Sequence, residues 1–208
     1  MKLTSSLILK NRWFTLVELI VGMTIFVVGM TAILALLNSA ISSSMRAKNE
    51  IIAANVLREQ VELVKNIRNS NIRSFANWST GITPNIYTIE NDYTSPNVIY
   101  TNGLITASPV KLSSSTIAPA DSIEQKFAKS KLYYDAKGRY THTVTPLETN
   151  IASYIIISPL AFTRPLWLIE PKSPDGMNQW YILDARVIIH ANDYREYDLK
   201  TVITDWQK

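Results

Sequence analysis

The sequence predicts an α+β chain: a long N-terminal α-helix, with a hydrophobic half and an amphipathic half, packed on a C-terminal antiparallel β-sheet. Three observations carry this. Residues 19–37 are nineteen consecutive uncharged residues, and only Glu18 interrupts the apolar run from 14 to 37. Residues 38–72 contain no proline and no glycine, and their apolar residues recur at helical spacing. From about residue 122, short apolar pieces alternate with turn signals, which is the pattern of a sheet built from hairpins.

Composition limits what such a chain can do. At 208 residues it suits one domain with an appendage. Charged residues make up 18%, against about 25% in ordinary soluble domains, so part of the chain avoids water. The absence of cysteine excludes a disulfide scaffold, a cysteine-ligated zinc or iron–sulfur centre and a thiol nucleophile. The net charge of +4 is mostly local. Lys2, Lys10 and Arg12 supply three charges within residues 1–13, and the remainder holds 18 basic and 17 acidic residues. A domain-wide nucleic-acid footprint is therefore not supported. Six glycines is low against about 7% in average proteins, while five tryptophans is many.

Residues 1–13 read as a basic leader. Residues 14–37 follow, and a helix of about 20 apolar residues crosses a bilayer core. Basic residues ahead of the run place the N-terminus in the cytoplasm. A conventional cleaved signal fits poorly. The run exceeds the usual apolar core of about 7–15 residues, and Asn38, Ser39 and Ala40 make a weak cleavage site. Residues 38–72 continue as an amphipathic helix. Ile41, Met45, Ile52, Val56, Leu63 and Ile67 recur mostly at i+4 and i+7, with Arg58, Glu59, Glu62, Lys65 and Arg68 between them. An unbroken helix from 14 to 72 would measure about 85–90 Å.

Glu18 needs a reason. An acid at the centre of a membrane helix costs about 2.5–3.5 kcal/mol on insertion scales, and less near an end. Thr15-Leu16-Val17-Glu18 fits a capping box, with Thr15 as N-cap and Glu18 at the third helical position. The helix dipole also favours an acid there.

Read as a whole, Phe14-Thr15-Leu16-Val17-Glu18-Leu19-Ile20 resembles the processing and assembly motif of type IV pilins and of the pseudopilins of secretion and competence machines. The resemblance covers residues 1 to about 70 and implies a pilin-like fold. It implies that a prepilin peptidase removes residues 1–13 by cutting between Trp13 and Phe14, and that Phe14 is then N-methylated. It implies that Glu18 meets the terminal amine of a neighbouring subunit and sets filament register. Helix packing would fall to Leu16, Leu19, Ile20, Ile25 and Phe26. The electrostatics agree: a cleaved Phe14 exposes a cationic amine in an apolar setting, with Glu18 as the nearest counter-charge.

Trp13 departs from the motif, which has glycine before the scissile bond. Two explanations stand. Either the indole slows or blocks cleavage and the chain stays anchored, or the codon is UGA, read as glycine in one genetic code and as tryptophan in another. The second would explain the tryptophan excess and glycine deficit together. Trp78, in Asn77-Trp78-Ser79-Thr80-Gly81, also reads naturally as a glycine turn, whereas Trp206 looks genuine.

Residues 73–122 are rich in Ser, Thr, Asn and Pro and form a connecting region, in which 85–89 and 98–101 are candidate strands. Residues 123–208 form the sheet. Within them, 131–134 and 139–144 flank the turn Asp135-Ala136-Lys137-Gly138. Further strands are expected at 154–158, 161–169, 180–191 and 194–205.

No P-loop, nucleophile elbow, zinc-protease or dinucleotide motif occurs, and the chain is read as no enzyme, with no cofactor and no metal site. His142 and His190 are isolated, and Asp175-Gly176 and Asn192-Asp193 are turn chemistry. The basic residues Lys111, Lys126, Lys129, Lys131, Lys137 and Arg139 raise DNA as a partner without supporting it. The expected function is a structural subunit, pilin or minor pilin, of a type IV pilus-like filament. Its partners would be copies of itself and other pilins, the prepilin peptidase and the pilus assembly platform. It would sit single-pass in the inner membrane and then in an extracellular filament. A pseudopilin is the alternative within the family. An uncleaved, signal-anchored cell-surface binding protein is the alternative of another class.

Overall fold

The computed structural model describes residues 15–91, 99–101, 104–107, 110–160 and 180–204. Helix α1 runs unbroken over Leu16–Arg73, 58 residues, as a stretch free of proline with only two glycines allows. The chain divides into two compact units, residues 1–48 and 49–208. In the first, every helical residue from Leu16 to Ala47 is exposed. It contains the one described helical segment long and apolar enough to cross a membrane. The two threonine hydroxyls within its apolar run are satisfied inside the helix, Thr24 Oγ1 donating to Ile20 O at 2.8 Å and Thr31 Oγ1 to Val28 O at 2.9 Å. That is what a polar group needs where no water can reach it.

In the second unit α1 buries one stripe: Ala53, Val56, Leu57, Gln60, Val61, Leu63, Val64, Ile67 and Asn71. The stripe packs on a seven-stranded antiparallel sheet. The strands are β1 (Asn85–Asn91), β4 (Val110–Ser114), β5 (Lys131–Tyr134), β6 (Tyr140–Thr141), β7 (Glu148–Pro159), β8 (Trp180–His190) and β9 (Tyr194–Thr204). A separate pair joins β2 (Ile99–Thr101) to β3 (Leu104–Ala107). Strand β7 is central. One edge pairs with β8, which pairs in turn with β9. Its other edge is long enough to hold β1 at Ile155–Ile157 and β5 at Glu148 and Ala152, and β4 and β6 extend these outward.

Strand β8 shows the period of two. Tyr181, Leu183, Ala185, Val187 and Ile189 are buried in the core with α1. On the opposite face, Ala152, Tyr154 and Ile188 pack with Ile117 and Phe127. Phe127 belongs to helix α2 (Ile123–Lys129), which the β pattern expected from residue 122 had missed. A complete capping box starts it: Ser122 accepts from Gln125 N–H while the Gln125 side chain accepts from Ser122 N–H.

The α+β expectation holds, with shifted boundaries. The sheet is not confined to 123–208, because β1 and β4 arise inside the region read as a connection. The expected strand 139–144 shrinks to Tyr140–Thr141, since beyond it the His142 N–H donates to the Glu90 carboxylate and the Thr143 N–H to the Thr141 hydroxyl instead of to a strand. The expected 154–158 lengthens to Glu148–Pro159. The expected strand 161–169 lies outside the described residues, as do Asp175, Gly176 and Trp206.

Candidate functional site

The proposed assembly segment begins at the start of α1. Thr15 acts as N-cap: its Oγ1 accepts from Glu18 N–H at 3.3 Å, and its carbonyl accepts from Leu19 N–H at 3.2 Å. Glu18 thus sits in the first helical turn, where the unpaired N–H groups and the dipole favour an anion. Leu16, Leu19, Ile20, Ile25 and Phe26 are all more than half exposed. A β-carbon added at Gly22 or Gly29 would meet nothing within 4 Å. These side chains have no intramolecular work. Trp13 and Phe14, the predicted cleavage and methylation positions, lie outside the described residues, so no distance relates Glu18 to the amine it is expected to meet.

The basic enrichment resolves into ion pairs. Lys129 meets Asp121 at 2.6 Å, Lys131 meets Glu148 at 2.7 Å and Arg139 meets Asp135 at 2.6 Å. The Lys129 ammonium holds the Asp121 carboxyl below its usual range. Three of the six cations proposed as a DNA surface are thereby neutralised locally, which weakens that candidate further.

Neither histidine is set up as a ligand. His190 stacks on Tyr194, ring centroids 4.3 Å apart, with Phe127 edge-on to both. His142 lies just past β6. Its backbone N–H donates to Glu90 Oε2 at 2.9 Å, and its Nε2 is buried without a hydrogen-bond partner. Burial pushes its pKa below the ordinary histidine value, against the opposing pull of the Glu90 carboxylate. Among the described residues no three His, Cys, Asp or Glu side chains cluster to hold a metal.

Two features were not anticipated from the sequence. Tyr154, Glu196, Arg186 and Asp184 form one network across β7, β8 and β9. The Tyr154 hydroxyl donates to Glu196 at 2.6 Å, and Arg186 bridges Glu196 and Asp184 at 3.1 and 2.9 Å. Only the register Tyr154↔Arg186 and Ile188↔Glu196 reveals it. The second is Gln60, a polar residue at the centre of the buried helix stripe, 2% exposed.

Comparisons of the chain with protein-family models, with curated proteins and with solved structures find no match.

Proposed function

We propose that the protein is a structural subunit of a type IV pilus-like filament, a pilin or minor pilin. The single observation that carries the reading is the order of parts at the N-terminus. A basic leader, Phe14-Thr15-Leu16-Val17-Glu18 and an uncharged run head one helix, whose first unit is exposed throughout and whose second is packed on a sheet. An apolar surface of this extent needs lipid or other apolar helices around it. A bundle of like helices supplies the second environment after a membrane has supplied the first. On this reading the leader is removed on the cytoplasmic side. The amine of Phe14 then faces Glu18 of a neighbouring copy, and the charge pair selects one axial register from many that helix packing alone would allow.

Glu18→Ala tests the role. It removes an apolar-run carboxylate, so membrane insertion is unchanged or improved, while incorporation into filaments falls to background. Normal filaments from this variant, seen by electron microscopy of sheared surface fractions, would contradict the assembly role.

Trp13 favours a second reading, an uncleaved anchor presenting the sheet unit at the cell surface. A residue as bulky as tryptophan does not suit a peptidase site shaped for glycine.

A further inference from the structure

Among the described residues β4, β6 and β9 end the sheet, and these edges are not alike. Strand β4 is 5 residues long and follows Pro109, and β6 has only 2 residues. Short edge strands and proline are ordinary ways of keeping an edge from pairing with another chain. Strand β9 has neither. It runs 11 residues, Tyr194–Thr204, without proline or glycine and without a break in its register against β8. Among the described residues it pairs with no other strand. Its outward row of backbone N–H and C=O groups is a template for one more strand, with Arg68 at its far end donating to Thr204 O at 3.4 Å. Two of its apolar side chains stand in solvent, Leu199 at 36% and Val202 at 45% exposure.

We propose that this edge pairs with the same edge of a second copy, antiparallel, about a two-fold axis through Leu199. Leu199 is the midpoint of the strand, so this register pairs all of it, from Tyr194 opposite Thr204 to Thr204 opposite Tyr194. It also sets Asp198 opposite Lys200, twice. These side chains are 59% and 60% exposed, and within one copy they lie only loosely together, 4.0 Å apart. Across two strands opposite charges attract and like charges repel. Moving the axis by one residue sets Asp198 against Asp198, or Lys200 against Lys200. The first of these would also offer Glu196 to Lys200, but Glu196 is already held by Tyr154 and Arg186. Charges that keep unlike strands away thus admit this strand's own copy. The symmetry fixes how the copies meet. Helix α1 packs on one face of the sheet, and a two-fold axis normal to the sheet reverses its direction. Chains standing parallel in one membrane or one filament cannot form this pair, whereas chains that approach from opposite directions can. The contact does not rest on the filament reading, and its failure would leave that reading standing.

The test uses the full chain in detergent, where no membrane orients the copies. The chain has no cysteine, so a single introduced thiol reports one position. Residues facing each other in an antiparallel pair have Cα atoms about 4.5 or 5.5 Å apart, within the roughly 4.4–6.8 Å a disulfide spans. Leu199→Cys should therefore give a covalent dimer under mild oxidation. Val202→Cys is the control. It is the more exposed of the two, so random collision favours it, but in this register the two copies of residue 202 lie about 20 Å apart at about 3.4 Å per residue. Val202→Cys should stay monomeric. Adding Lys200→Asp to Leu199→Cys removes two opposite-charge pairs, and dimer formation should fall at least about 2-fold. Adding Asp198→Lys as well exchanges the two charges and should restore it, which a misfolded chain would not do. No dimer at residue 199 would mean that the edge is covered by its own chain or by another partner, and it overturns the proposal. So does a dimer at 202 as abundant as that at 199, or a charge exchange that restores nothing.

Discussion

Phe75 sits at the C-terminal end of α1 with φ of 57° and its side chain fully exposed. The hydrogen bonds around it, Ala76 N–H to Asn71 O at 3.0 Å and Phe75 N–H to Ile72 O at 3.1 Å, form a Schellman cap with Phe75 at the position glycine usually holds. A left-handed backbone costs an L-residue about 1–2 kcal/mol, and a solvated ring repays none of it. Phe75→Gly should therefore stabilise the second unit by about 0.5–1 kcal/mol, after the greater chain entropy glycine loses on folding. Denaturant unfolding of the solubilised chain measures this, and a loss of stability would mean the ring has a partner. His142 sets a pH dependence. Its folded pKa lies below the unfolded value of 6.5, so the unfolded chain binds more protons on acidification. The stability it contributes is complete above pH 6.5 and is lost as pH falls from there towards the folded pKa, at no more than about 1.4 kcal/mol per pH unit. His142→Phe should flatten that part of the stability–pH curve. Trp78 also has a place: it is buried, its ring lies 5.5 Å from that of Tyr181, and its carbonyl accepts from Asn71 Nδ2. Its φ is not positive, so that turn does not call for glycine. The mis-decoding idea now rests on codon 13 alone, where UGA would support it and UGG would end it.

Helix α1 does two different jobs along its length, and truncations should separate them. Leu57 is 5% exposed in the core under the sheet, and Leu36 is 71% exposed in the apolar half. Leu57→Ala should cost about 2–5 kcal/mol through lost burial and a cavity. Leu36→Ala should leave unfolding of the second unit unchanged, so a comparable loss at Leu36 would refute the division. This helix was legible in the sequence because its signals are local: an uncharged run, then apolar residues at helical spacing with nothing to break them. Strands β8 and β9 were legible to within a residue, since Asn192-Asp193 punctuates two alternating runs. Helix α2 was missed although its Ser122-x-x-Gln125 cap was in view, because at 7 residues it is too short to show a period. Strand β1 was legible as the apolar piece 85–89, whereas β4 looks like loop because its neighbours are rich in Pro, Ser and Thr. The place of β1 in the sheet comes from pairing with β7 about 70 residues away, and that of β4 from pairing with β1, which no local pattern encodes. The small cavity beside Gln60, lined also by Ile89, Leu132, Tyr140 and Ser153, is illegible for the same reason: its walls come from five elements.

At the scale of the whole molecule, the described residues contain a solvent-shy helical unit and a self-sufficient α+β unit. Each unit demands a different environment. The second closes its own core on both faces of the sheet, in two apolar clusters. The first closes nothing, and about 25 cal/mol of driving force attends each Å² of apolar surface it hides, in lipid or among other helices. On the proposed filament reading a subunit meets both environments in turn, and the step between them is removal of residues 1–13. The mass of the native N-terminus, measured on protein taken from surface filaments or membranes, therefore tests the account most directly. The filament reading predicts a chain that begins at Phe14 and carries one N-methyl group. An intact chain beginning at Met1 would contradict it and leave the uncleaved anchor in its place.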